Sequence, residues 1–266
     1  MSLLGFAASF LMGIILGLVG GGGSILTVPI LVYLFALAPS VATGHSLFVV
    51  GLTALVGAAL ALRRGQIDLA ASLAFVFPSV LGVNISRGLI VPSLPPVIAQ
   101  IGTFVVTKEI LIMLVFSVMM IAASTSMIRR RAHASALRVS ALVRMLMMAF
   151  LGLIVGLIAG FVGAGGGFLI IPALVFVAGL SMRLAVGSSL MVIAIQSLFG
   201  FANDVSRGAR IDWTLLLTVA SFAVVGILAG SASSAQINEQ KLKTGFGWFV
   251  LVIGLTILAE QIYHAI

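Results

Sequence analysis

No cysteine occurs anywhere in the 266 residues. That excludes disulfides, a thiol nucleophile and any Cys-ligated metal. Charge is almost as scarce. Only 8% of residues are Asp, Glu, Lys or Arg, against about 25% in a soluble domain. A chain so poor in charge cannot clothe a water-facing surface. The acids number six: Asp68, Glu109, Asp204, Asp212, Glu239 and Glu260. All lie near the ends of apolar segments, and neither H-E-x-x-H nor G-x-S-x-G is present. Hydrolytic chemistry therefore finds little support, and neither an enzyme nor a cofactor is expected. The net charge of +8 would suggest nucleic acid in a soluble protein. Here the basic residues sit mostly between apolar segments, as the positive-inside rule requires, so no nucleic-acid partner is expected.

What the chain has instead is hydrophobicity: 62% of residues, with a mean hydropathy of +1.33. The composition predicts an all-α, polytopic integral membrane protein with lipid around it, multi-pass in a bacterial inner membrane. The N-terminal MSLLGFAASFLMG lacks a basic region before its apolar run, so a cleaved signal peptide is not expected. Apolar segments fall at 3–19, 25–38, 41–62, 69–86, 110–128, 142–162, 168–180, 184–203, 212–231 and 244–263. A full crossing needs about 20 residues. The segments 25–38 and 168–180 are too short by that measure.

Those two short segments occupy equivalent places in a duplicated chain. GLVGGGGSILTVPIL, from Gly17, aligns with GFVGAGGGFLIIPAL, from Gly160. Gly17, Gly20, Gly22, Gly23 and Pro29 fall on Gly160, Gly163, Gly165, Gly166 and Pro172, at a constant offset of 143. ATGHSLFVV from Ala42 then meets AVGSSLMVI from Ala185, so His45 and Ser46 align with Ser188 and Ser189. With one residue inserted, RRGQID ending at Asp68 meets SRGARID ending at Asp212. The chain divides into a first repeat at 1–128, a basic linker at 129–141 and a second repeat at 142–266. Each repeat holds about four helices behind its Gly-broken first segment. Repeat one carries an insertion with Pro92, Pro95 and Pro96, which reads as loop. The apolar VIAQIGTFVV after it reads as an interfacial or partly inserted piece. Lys108 and Glu109 mark the membrane entry of the next helix.

Glycine weakens a helix by about 1 kcal/mol relative to alanine, and proline by about 3. A break repeated in both halves must be buried in protein or line a polar cavity, because lipid offers its freed backbone groups no partner. The half-helix after a break begins with unpaired N–H groups at the positive end of its dipole. Such N–H groups hold anions without a charged side chain. Gly-interrupted segments at matching positions in two repeats point to a transporter's binding site. The candidate substrate-binding residues are therefore Gly22, Gly23, Ser24, Gly165, Gly166 and Gly167. To them are added His45, Ser46, Ser188 and Ser189, whose side chains donate hydrogen bonds, and Gln196, a polar group within an apolar run. His45 is also a candidate carrier of a coupling proton. The competing reading is that the glycines only let helices pack closely; Gly13, Gly17 and Gly21 have such spacing. A nucleotide loop is disfavoured, since GGGGS lacks the Gly-Lys-Ser/Thr that follows in a P-loop.

The order G-x-x-G-x-G-G-G-x-x-x-x-P, then A-x-G-x-S-L about a dozen residues later, then both again, resembles the sulfite exporter TauE/SafE family of membrane permeases. GFVGAGGGFLIIPAL with AVGSSL is the closer match; repeat one departs at His45. The resemblance spans nearly the whole chain. It implies a permease for sulfite, sulfonates or related organic anions, with the substrate left open.

Two topologies compete. If each broken segment crosses the membrane, the repeats are parallel and Lys and Arg divide nine to five between the sides. If each returns as a re-entrant hairpin, the repeats are inverted and the division is ten to four. The count favours inversion, and alternating access does too. The linker's arginines are cytoplasmic in either case. The expected function is a secondary transporter for a small anion, with coupled protons as a further possibility. A passive anion channel and a membrane-embedded scaffold are the alternatives.

Overall fold

The computed structural model describes residues 3–101, 104–128, 140–233 and 239–265. The helices are α1 (Leu3–Val19), α2 (Gly21–Leu34), α3 (Pro39–Arg63), α4 (Leu69–Ser93) and α5 (Lys108–Ile128) in the first repeat. The second repeat supplies α6 (Ala141–Val162), α7 (Gly167–Phe176), α8 (Met182–Ser206), α9 (Trp213–Ser233) and α10 (Glu239–Ala265). Among the described residues, seven helices are long and apolar enough to cross a membrane; α1, α2 and α7 are shorter. Large apolar side chains such as Phe77, Phe150, Val225 and Trp248 point outward, while serines such as Ser72, Ser79, Ser117 and Ser124 are buried. That distribution suits lipid outside and hydrogen-bonded packing inside. The protein is a multi-pass membrane protein. Most of the linker, 129–139, lies outside the described residues.

Short polar residues start the helices where the repeat alignment places them. The Asp68 carboxylate accepts the Ala71 N–H at 2.9 Å at the head of α4. Asp212 accepts the Leu215 N–H at 3.0 Å at the head of α9. These are equivalent N-caps, each satisfying an N–H that has no partner within its helix. α3 begins after Ala38, which has no capping side chain. Glu109 takes over that role from α5, accepting the Ser40 N–H at 2.7 Å and the Ser40 hydroxyl at 2.6 Å. The sequence placed Lys108 and Glu109 at a helix entry, and α5 begins there.

One local expectation is revised and another gains its conformation. The 69–86 segment continues to Ser93, through Arg87 and Pro92. A π turn over Ser86–Ile90, closed by the Val91 N–H on the Ser86 carbonyl, carries the helix up to the proline. The VIAQIGTFVV piece is an antiparallel hairpin, β1 (Val97–Ile101) with β2 (Phe104–Thr107). β-Branched residues favour extended backbone, and a Pro-Pro pair just before them blocks a helix.

α1 and α2 fold back on each other as a hairpin. The rings of Phe6, near the start of α1, and Phe35, after the end of α2, have centroids 5.3 Å apart. Gly23 lies against Ile15 and Leu16 of the same hairpin. The second hairpin matches: Gly166 lies against Val155 and Ala159 of α6.

The two halves pack as an exchanged pair. α1 lies on α9 as α6 lies on α4, and α4 meets α8 as α9 meets α3. α3 packs on its own equivalent α8, and α5 on α10. Both of those pairs run antiparallel. Gly44, Gly51 and Ala61 of α3 face Asp204, Leu198 and Gly187 of α8 in reverse order. Met120 and Met127 of α5 face Gly254 and Gly247 of α10. Equivalent helices therefore point in opposite directions. Glycines make the contacts close: Gly13 and Gly17 meet the α9 backbone at Ala223 and Gly230, and Gly156 and Gly160 meet α4 at Ser79 and Val83. The packing role of small residues thus holds for Gly13 and Gly17.

Candidate functional site: a hairpin crossing and a cationic cavity

The hairpin tips meet halfway along the central helices. Gly21 lies against Gly167 and against Ile193, near the middle of α8; Gly165 lies against Val50, near the middle of α3. Gly23 and Gly166 pack inside their own hairpins. Gly21 and Gly167 make the contact, because the chain between Gly20 and Leu26 winds as a 3-10 helix that turns Gly21 toward the partner hairpin.

Reversal after α6 uses left-handed backbone. Gly163 ends the helix at φ 75°, and Gly165 and Gly166 follow at φ 67° and 65°. An L residue with a Cβ is strained there, so the sequence needs glycine at these points. Reversal also strips carbonyls of helical partners, and three polar side chains supply donors. The Ser46 hydroxyl donates to the Gly163 carbonyl at 2.7 Å. The Ser24 hydroxyl lies 2.6 Å from the Ala164 carbonyl and 2.7 Å from that of Gly21. The Gln196 amide donates to the Gly165 carbonyl at 2.5 Å. All three side chains are fully buried. A buried carbonyl left unpaired costs about 1–3 kcal/mol. Two buried acceptor-capable atoms near the tips, Gln196 Oε1 and the Ser197 hydroxyl, have no partner.

The structure thus brings together Gly22, Gly23, Ser24, Ser46, Gly165, Gly166, Gly167 and Gln196. The other three candidates make their own hydrogen bonds elsewhere. Ser188 accepts the Asp68 N–H at 2.9 Å and ties the 63–68 loop to α8. Ser189 donates to Val186 of its own helix at 2.8 Å. His45, with Nδ1 donating to the Val41 carbonyl at 3.1 Å, faces a cavity at the opposite end.

That cavity, about 330 Å³, lies at the 204–212 end and includes Gly44, His45, Arg87, Lys108, Asp204, Arg207 and Arg210 in its lining. Lys108 donates to the Val91 carbonyl at 2.6 Å. Arg207 donates to Asn203 at 3.0 Å, and Asn203 donates to Asn84 at 2.9 Å, joining α8 to α4. Arg87 Nη2 lies 3.5 Å from Asp204 Oδ2. Four basic side chains and one carboxylate line the cavity.

Sequence reasoning missed this constellation. Arg87 falls just beyond the apolar run read at 69–86. The signal was the apolar Leu89-Ile90-Val91 that follows Gly88, which sets Arg87 within an apolar stretch and marks its charge as a functional candidate. Arg207 and Arg210, which count among the loop charges that set topology, also line the cavity.

The sulfite exporter TauE/SafE family profile matches residues 5–257 of this chain. The chain belongs to that family. Membership places it among membrane transport proteins. A Xylella fastidiosa protein named "Probable membrane transporter protein" is 29% identical over 256 residues, covering 93% of this chain and 91% of that protein. The Bacillus subtilis "Probable membrane transporter protein YdhB" is 26% identical over 249 residues, covering 94% and 97%. A Methanocaldococcus jannaschii protein, "Probable membrane transporter protein MJ0441", is 29% identical over 111 residues, covering 40% and 41%. No solved structure matches.

Proposed function

We propose that the protein is a secondary transporter for a small anion, sulfite, an organosulfonate or a related organic anion, working by alternating access. The observation that carries this reading is the cavity, where Arg87, Lys108, Arg207 and Arg210 stand against Asp204 alone. A low-dielectric cleft of one sign concentrates ions of the other.

The anion's path runs from this cavity to the hairpin crossing. There the backbone carbonyls are engaged by Ser24, Ser46 and Gln196. The Gly23 N–H closes on the Gly20 carbonyl at 3.3 Å, so the N–H groups of Gly22 and of Gly165 to Gly167 are the ones that receive the anion, with Ser189 and His45 as further donors. Each half-helix contributes roughly half a positive charge, which attracts an anion without the grip of a fixed cation. Antiparallel equivalent halves permit the exchange of access on which alternating transport depends.

Helix directions put residues 63–64, 183, 241 and 243 and both ends of the linker on one side. With the linker's own arginines that side holds ten Lys and Arg, and the other holds Arg87, Lys108, Arg207 and Arg210. The positive-inside rule makes the first side cytoplasmic. The cavity then opens away from the cytoplasm.

The test is counterflow in proteoliposomes. Vesicles loaded with unlabelled sulfite or taurine should take up the labelled solute against its gradient and saturate with concentration. Flux without saturation or counterflow would make the protein a channel. Absence of any flux would favour a scaffold.

A further inference from the structure

Among the described residues, Arg87 is the only Lys, Arg, Asp or Glu that is buried, at 3% exposure. It sits in the π turn of α4, an irregularity common at functional sites. Its guanidinium carries five N–H donors, yet Nε and Nη2 have no hydrogen-bond partner. Asp204, on the other repeat, neutralises the charge from 3.5 Å without forming a hydrogen bond. Gly44 of α3 keeps the space open: a Cβ there would lie 2.8 Å from Asp204 Oδ2 and 3.7 Å from Arg87 Nη2. Unspent donors and a loosely held counterion face one cavity.

We propose that the Arg87 guanidinium is an oxyanion subsite, held by Asp204 when empty, and that the exchange of partners couples one proton to each anion. This rests on the anion-transport reading. Two oxygens of a carboxylate, sulfonate or sulfite engage Nε and Nη2 in the paired geometry that guanidinium favours. The anion then neutralises Arg87, and the mostly buried Asp204 carboxylate loses its counterion. An uncompensated carboxylate in such a place takes up a proton, here from cavity water, and becomes a neutral acid. A monovalent anion and one proton then cross together with no net charge. Release of the anion returns Arg87 to Asp204, which gives up the proton.

The other charged groups facing Asp204 do not replace Arg87. Arg207, one turn on, spends its Nε on Asn203. Lys108 of α5 is tied to the Val91 carbonyl, and Glu109 is occupied by Ser40. His45 from α3 bonds its own helix through Nδ1. Arg210 and Asp212 lie in the loop that follows. Arg87 forms the only ion pair with Asp204 among the described residues. The proton is thereby assigned to Asp204 rather than to His45.

Proteoliposomes with trapped pyranine test this, using methanesulfonate and sulfate, which stay ionised at every pH used. In the wild type an inward anion gradient should acidify the lumen. In Asp204→Asn, acidification per anion moved and pH-driven accumulation should be lost. Arg87→Lys should raise the half-saturating concentration tenfold or more. If Asp204→Asn does not fold, wild-type acidification decides alone. Anion flux without proton movement, or acidification that persists in Asp204→Asn, overturns the coupling and leaves the transport reading standing. If neither anion moves in the wild type, the transport reading itself fails.

Discussion

Gly21 and Gly167 touch backbone to backbone where the two hairpins cross. A Cβ built on Gly21 would stand 2.5 Å from the Gly167 Cα and 2.5 Å from Ile193 Cδ1. Such distances leave no room for a methyl group. Gly21→Ala should therefore push the hairpins apart. Overpacking of this kind costs about 1–3 kcal/mol. The melting temperature should fall and flux should drop with it. A variant with wild-type melting and flux would show that the crossing is not close-packed.

Gly163 combines a left-handed conformation, φ 75°, with contact against the Thr43 backbone. Gly163→Ala should destabilise through both, with about 1–2 kcal/mol from conformation alone. Gly65→Ala is the comparison: its φ is 64°, but nothing lies within 4 Å of the added methyl. Thermal unfolding of the two should rank Gly163→Ala as the less stable. The reverse order would remove the tip contact from the argument.

Ser46 and Ser189 align in the repeat but do different work. Ser46→Ala leaves the buried Gly163 carbonyl without its side-chain donor, a loss of about 1–3 kcal/mol in stability. Ser189→Ala removes only a bond to Val186 within its own helix, so its melting temperature should stay near wild type. Its effect should appear instead in sulfite or taurine binding, weaker by about 1–3 kcal/mol where the hydroxyl reaches a charged ligand. Calorimetric titration of both variants separates the roles. Unchanged affinity in Ser189→Ala would remove it from the site.

Because the chain has no cysteine, single cysteines report topology cleanly. Arg63→Cys and Ala209→Cys both replace exposed loop or helix-end residues. A membrane-impermeant maleimide added to intact cells should label Ala209→Cys and not Arg63→Cys. Broken cells should label both. Labelling of the two from the same side would contradict the helix directions.

The membrane character, the duplication, the paired breaks and the family were all legible in the amino-acid order. Each rests on local composition or on self-similarity, which need no partner to be recognised. Asp68 and Asp212 could be matched as helix starts for the same reason, because a cap acts within one turn. Hairpin geometry was not legible. A segment of the length of α2 can cross part of a bilayer or turn back within it, and only one Lys or Arg separated the two charge counts. The Phe6–Phe35 contact and the antiparallel pairing of α3 with α8 favour the second. Arg87 shows the same division. Its charge and its apolar surroundings stand in the sequence, but its partner is 117 positions away at Asp204. That distance closes only when α4 packs on α8, so tertiary packing, not local propensity, sets what a buried charge can reach.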